Sequence, residues 1–275
     1  MMLKNKFNMN SKKSQLAIFI ILAFIILFAV IFIAVFVATT KSSTEGKAIY
    51  GSIPSTIQVK SYMDNCLKDS LINSMWDIGL MGGYTAKNLT DIPSIEFQGK
   101  KVPIYFDSQS QLIIIPQLGD IKENIKTEIL TLMSNCTDLT LFKSQGLIIK
   151  RKSEPNLTII FNEADVKAVL DYNFIISSGN FYREFTFFST SVPISFKRIF
   201  QNADLFITSL KTNPQLYNLT KDCQKFDFNK QINIYYKNGN VVQFVDFSTF
   251  NNQFQKSYIF QFALQNSNIV GECNG

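Results

Sequence analysis

The chain has 275 residues, 46% of them hydrophobic, with 27 basic and 21 acidic side chains, four cysteines and no histidine. The lack of histidine excludes the usual general base, the Ser–His and Cys–His nucleophile systems, and most zinc and copper sites. Lys4, Lys6, Lys12 and Lys13 precede the first acid, Glu45, so the remainder carries 23 basic and 21 acidic residues, a balance that predicts no nucleic-acid partner.

Residues 1–15 read as a basic cytoplasmic tail. Residues 16–38, LAIFIILAFIILFAVIFIAVFVA, carry no charge, Gly, Pro or hydroxyl. As a helix this run is about 35 Å long, enough to cross a hydrocarbon core of about 30 Å. It is longer than a secretory signal core and lacks a good cleavage site, which predicts an uncleaved anchor. The lysines ahead of it predict a cytoplasmic N-terminus and an outside C-terminal portion. The expected location is therefore the cell membrane, single-pass, with the lipid bilayer as partner through residues 16–38. Residues 39–53 form a Ser/Thr/Gly-rich linker, and residues 54–275 an extracytoplasmic domain.

Helical spacing of Val59, Met63, Cys66, Leu67, Leu71, Met75 and Ile78 predicts a helix over 56–81, started at Pro54 and stopped by Gly82-Gly83. Val102–Phe106 and Gln111–Ile115 read as a hairpin around residues 107–110. A second helix is expected over 117–136, with Asp120 and Glu123 as a capping box if it starts there. Gly146–Lys152 and Leu157–Asn162 alternate as two strands of a hairpin, and Asp165–Ser177 with Phe181–Ser189 as another, turning at residues 178–180. The run Phe181–Phe188 is read as core in preference to an exposed patch. A third helix is expected over 195–211, ended by Asn213-Pro214. Strands 231–237 and 241–247 flank Asn238-Gly239, a strong hairpin signal, and strand 258–265 follows. The fold class is α+β: one N-terminal transmembrane helix, then an antiparallel-sheet ectodomain with three main helices.

Cys66, Cys136, Cys223 and Cys273 all follow the apolar run. An even number outside the cytoplasm predicts two disulfides. Three connectivities are open; Cys66–Cys136 with Cys223–Cys273 is preferred because each pair stays within one half of the chain. Sequons begin at Asn88, Asn135, Asn156 and Asn218, candidate glycosylation sites that an outside location permits. The carboxylate pairs Glu163/Asp165 and Asp64/Asp69 read as solvated charges rather than an acid–base couple. No catalytic residue, metal site or cofactor is expected.

Two stretches carry resemblances. Lys12-Lys13-Ser14-Gln15 ahead of the apolar run resembles the class III signal of archaeal type IV pilin-like proteins, which implies processing between Ser14 and Gln15. The chain departs at Ser14, where Gly or Ala is usual, and at Phe19, where many pilins carry Glu. Tyr62-Met-Asp-Asn-Cys66-Leu, followed by Gly79-Leu-Met-Gly-Gly-Tyr84, is similar to a pattern in uncharacterised single-pass surface proteins of small-genome archaea. The expected function is a non-enzymatic, membrane-anchored surface protein with a structural, adhesion or assembly role, with a homo-oligomer or an envelope protein as partner, and a pilin-like subunit as one form of it. The alternatives are a ligand-binding module of an envelope complex and a His-independent envelope hydrolase.

Overall fold

In a computed structural model, the described residues are 56–179, 181–212, 217–218, 232–237, 240–250, 256–267 and 269–270. The chain divides between Ser52 and Ile53, and every described residue belongs to the second unit. The basic tail, the apolar run, Ser14-Gln15, the linker, Pro54, Asn213-Pro214, Asn238-Gly239, Cys223 and Cys273 lie outside the described residues. Among the described residues no helix is long and apolar enough to cross a membrane.

Helix α1 (Thr56–Leu80) is the element both sheets share. Its Val59, Met63, Leu67, Leu71, Met75 and Ile78 recur at three- and four-residue spacing and are buried. Ser70, Ser74 and Trp76 are buried too, so more than one stripe of the helix is covered. α1 packs on one sheet through β7 (Phe181–Val192) and on the other through β11 (Tyr258–Gln265).

The first sheet has the order β1 (Ser94–Phe97), β2 (Lys100–Asp107), β11, β10 (Val241–Asp246), β9 (Ile232–Lys237), with the short β3 (Leu112–Ile113) also on β2. β1 and β2 form a tight hairpin in which Phe97 pairs with Lys100 and the loop residues Gln98 and Gly99 both take positive φ. That geometry matches the right-handed strand twist. β9 and β10 run antiparallel as the Asn-Gly signal predicts, and β11 pairs antiparallel with β10. β2 and β11, however, pair in parallel, as do the short β8 (Tyr217–Asn218) and β12 (Ile269–Val270). The sheets are therefore rich in antiparallel pairs rather than wholly antiparallel. Helix α5 (Phe196–Thr212) covers the first sheet, with Phe206 near Phe244 and Phe262 and Phe196 near Phe260.

The second sheet corrects one expectation. β4 (Ile148–Arg151) and β5 (Asn156–Phe161) do not pair with each other. Both pair antiparallel with β6 (Val166–Ser178), end to end along one edge, while β7 takes the other edge. Lys152–Pro155 carries the chain past a bulge on β6, where the register with β7 shifts between Asp171 and Phe174. The bulge is stitched: the amides of Lys152 and Ser153 donate to Asn173 O (2.8 and 3.2 Å), and the Asn173 amide donates to Ser153 Oγ (2.9 Å).

Helix α2 (Leu118–Leu132) begins earlier than Asp120 would require as its cap. Its capping box uses Gln117 and Asp120, not Asp120 and Glu123. The helix breaks at Met133 and a single turn, α3 (Ser134–Thr137), carries Cys136; another turn, α4 (Thr140–Lys143), follows.

α1 ends at Gly82-Gly83 in a Schellman motif: Gly83 N–H donates to Ile78 O (2.8 Å) and Gly82 N–H to Gly79 O (3.2 Å), with Gly82 at φ +57°. Tyr105 Oη donates to Gly82 O (2.6 Å) and Asn124 Nδ2 to Gly83 O (2.9 Å), so β2 and α2 both dock on this turn. Gln261 Nε2 donates to Leu80 O (2.8 Å), and Gln261 Oε1 accepts from Gln243 Nε2 (2.8 Å). The end of α1 thus sits against the edge of β11, where that strand runs on past β2.

Candidate functional site

Antiparallel pairing sends directly opposed residues to the same face, so the register fixes which side chains look outward from the second sheet. Its inner face is a stack of rings. Phe174 lies 5.0 Å from Tyr172, 5.2 Å from Phe185 and 5.9 Å from Phe188. Among the described residues α1 and α2 cover only that side, and the opposite face is open. Four large apolar side chains project from it: Ile148 at 69% exposure, Phe187 at 65%, Tyr182 at 62% and Ile160 at 39%. The bulge divides them. Toward one end, Ile148, Ser177 and Tyr182 form a row across the three strands. Toward the other, Asn156, Asp171 and Phe187 form a second row.

The run Phe181–Phe188 therefore satisfies both of its readings. Phe185 and Phe188 are core, whereas Tyr182 and Phe187 are exposed; the bulge sets the spacing between the two inward rings. Between the rows, Lys152 Nζ pairs with Glu184 at 2.7 Å. The Glu184 carboxyl is held below its usual range by hydrogen bonds from Lys152 and then Asn173. The same contact raises Lys152.

Cys66 on α1 and Cys136 on α3 form a disulfide with Cα atoms 6.5 Å apart, the preferred pairing for these two. The α3 end is pinned to the second sheet as well: Arg151 Nη2 donates to Thr137 O (2.8 Å) and Tyr172 Oη donates to the same oxygen (3.1 Å). A groove of about 410 Å³ lies beside the bond, lined by Tyr62, Asn65, Asp69, Asn73 and Leu132.

Among the described residues, the remaining sequence candidates are bonded elsewhere or stand alone. Glu163 pairs with Lys197 and Asp64 with Lys60, while Asp165 accepts from Asn162 Nδ2 at 2.8 Å, so these carboxylates are engaged with other partners. Among the described residues no three His, Cys, Asp or Glu side chains gather as metal ligands. Asn88 Nδ2 donates to Asn124 Oδ1 at 2.8 Å. Asn135 lies in α3 beside the disulfide, and Asn156 opens β5. Asn218 lies in β8, and its side chain is outside the described residues.

Sequence reasoning missed the two outward rows. Alternation along β5 signals Asn156 and Thr158 as outward, but only the pairing with β6 and β7 places Asp171 and Phe187 beside them. Comparison of the chain with protein families, with curated proteins and with solved structures finds no match.

Proposed function

We propose that this protein is a membrane-anchored surface protein whose disulfide-stapled α+β domain works by contact rather than by catalysis, in adhesion or in assembly of the cell envelope. The observation that carries this reading is the open face of the second sheet. A sheet with one face fully packed and the other presenting Ile148, Tyr182 and Phe187 has the form of an interaction surface. The Cys66–Cys136 bond supports an oxidising location, in agreement with the lysine flank and apolar run of residues 16–38. A pilin-like role, with residues 1–14 removed, is the finer form of the same reading.

The test is cross-linking on intact native membranes, comparing the natural chain with an Ile148→Ser, Tyr182→Ser double variant. The expected result is a defined cross-linked species, with itself or with one envelope protein, that the variant loses. An identical cross-linking pattern in the variant refutes the contact role of this face. Protease added from outside must also reach the domain in intact cells; full protection refutes the orientation.

A further inference from the structure

We propose that Asn156 is an N-glycosylated asparagine of this domain, and that its glycan lies across the Asn156–Asp171–Phe187 row with Phe187 as its platform. The proposal rests on the outside location argued above and adds a modification site to it.

Asn156 begins β5, whose residues alternate outward and inward: Asn156 and Thr158 are exposed and Leu157 is buried. The acceptor amide and the sequon hydroxyl therefore share the open face. Asn156 pairs with Asp171, and Asp171 with Phe187. Strands lie just under 5 Å apart, so Asn156 and Phe187 are separated by about 10 Å across the sheet. That distance seats a first sugar over Asp171 and a second over Phe187. Asp171 offers a carboxylate to sugar hydroxyls. The Phe187 ring, 65% exposed, offers a flat apolar surface to the C–H face of a pyranose. Thr158 and Ser189 border the row with hydroxyls, one strand step along.

At Asn88 and Asn135 the sequon side chains make contacts within the fold. The Asn88 amide donates to Asn124, which itself holds the Gly83 carbonyl at the end of α1. A sugar on Asn88 places bulk in that joint. In the sequon at Asn135 the middle residue is the disulfide-bonded Cys136, and the Thr137 hydroxyl is turned to the Met133 and Ser134 carbonyls at 3.2 and 3.1 Å.

The chemistry needs an activated sugar donor, a lipid-diphosphate-linked oligosaccharide, and a membrane transferase. The Asn156 Nδ2 attacks the anomeric carbon, and a C–N bond forms as the anomeric C–O bond to phosphate breaks. Nδ2 gives one proton to the transferase base, and the lipid diphosphate leaves.

The proposal further divides the open face. The glycan covers the Phe187 end, and the Ile148–Tyr182 end stays free for protein contact.

The test is peptide mass mapping of the full chain extracted from its native membranes, with and without reduction. The expected result is a hexose- or hexosamine-containing adduct on Asn156, with Asn88 and Asn135 bare. A mapped Cys66–Cys136 bond with Asn156 unmodified overturns the glycan while leaving the location intact. Reduced cysteines together with four bare sequons overturn the location itself. The platform is read separately by thermal unfolding. Phe187→Ala is expected to lower Tm by about 2–4 °C in the glycosylated chain and by under a degree in an Asn156→Gln background. Equal shifts in both backgrounds overturn the platform.

Discussion

Replacing Gly79 by alanine sets two effects of opposite sign against each other. In a helix interior alanine is favoured over glycine by about 0.5–1 kcal/mol. At Gly79, however, the new Cβ falls 2.4 Å from the Ile259 carbonyl oxygen, 2.7 Å from Tyr258 Oη and 2.9 Å from Tyr258 Cζ. Two of these atoms belong to a fully buried ring and the third to the backbone of β11, so none can swing aside. Overpacking of this kind costs about 3 kcal/mol at the upper end of its ordinary range. The net is a loss of about 2 kcal/mol, read as a fall in Tm of about 4–8 °C. Trp76 is the one tryptophan in the chain and lies 5.6 Å from Tyr258 by ring centroid, so its fluorescence reports the same contact during unfolding of the full chain in detergent. Gly119→Ala is the control. Gly119 sits in α2 with nothing within 4 Å of its added Cβ, and that substitution is expected to be neutral or to stabilise by about 0.5 kcal/mol. A Gly79→Ala chain as stable as the natural one refutes the wedged seat of α1 on β11.

Removing the disulfide with Cys66→Ala and Cys136→Ala frees a loop whose ends are 70 residues apart; the loss is expected to be about 4 kcal/mol on chain-entropy grounds, read by denaturant midpoint, and an unchanged midpoint refutes it. Burial, with the Asp120 charge beside it, pushes the Tyr84 hydroxyl up to about 12. Its folded value exceeds the unfolded one, so this stabilisation is complete below about pH 10 and is lost as pH rises through 12. Ultraviolet titration of Tyr84→Phe should lack one late-ionising phenol, and an unaltered titration curve counts against the burial. Asp107 is held below its ordinary value by hydrogen bonds from Ser110, then Asn266, then the Gln109 amide. Its contribution is present above the unfolded value near 3.8 and fades as pH falls through the lowered one. Asp107→Asn should make proteolysis at the 107–111 turn equally fast at pH 3 and pH 6; a persistent pH difference speaks against the turn as its cause.

What could be read from residues alone was whatever a short stretch determines by itself. α1 is announced by its apolar stripe and by Gly82-Gly83, where a left-handed residue is required. α5 and the β6–β7 hairpin are announced the same way, by one period and one stop. What escaped depends on partners distant in sequence. β4 and β5 look like a hairpin because each alternates and a short polar link joins them. The choice of β6 as their common partner is made by its length, which accommodates both. The parallel contact of β2 with β11 joins segments more than 150 residues apart, beyond the reach of any turn signal. Gln98-Gly99 is a local signal, but Ser94–Phe97 is too short and too mixed to read as a strand without β2 beside it. The outward rows fall in the same class. Phe187 looks like its core neighbours until the bulge on β6 separates their directions.

The cross-link between α1 and α3 also has a mechanical meaning. Tension applied to the chain ahead of α1 and at its C-terminal end would unravel α1 only as far as Cys66. There the load passes through the sulfur bridge to Cys136 and on into β4. Residues 67–135 drop out of the load path. With them go the rest of α1, the Schellman turn, β1 to β3 and α2. At about 3.5 Å per residue, roughly 240 Å of chain is withheld from extension for as long as the bond is intact. While the bond holds, β1 to β3 and α2 therefore carry no tension, and the strands that follow Cys136, β11 among them, bear the load.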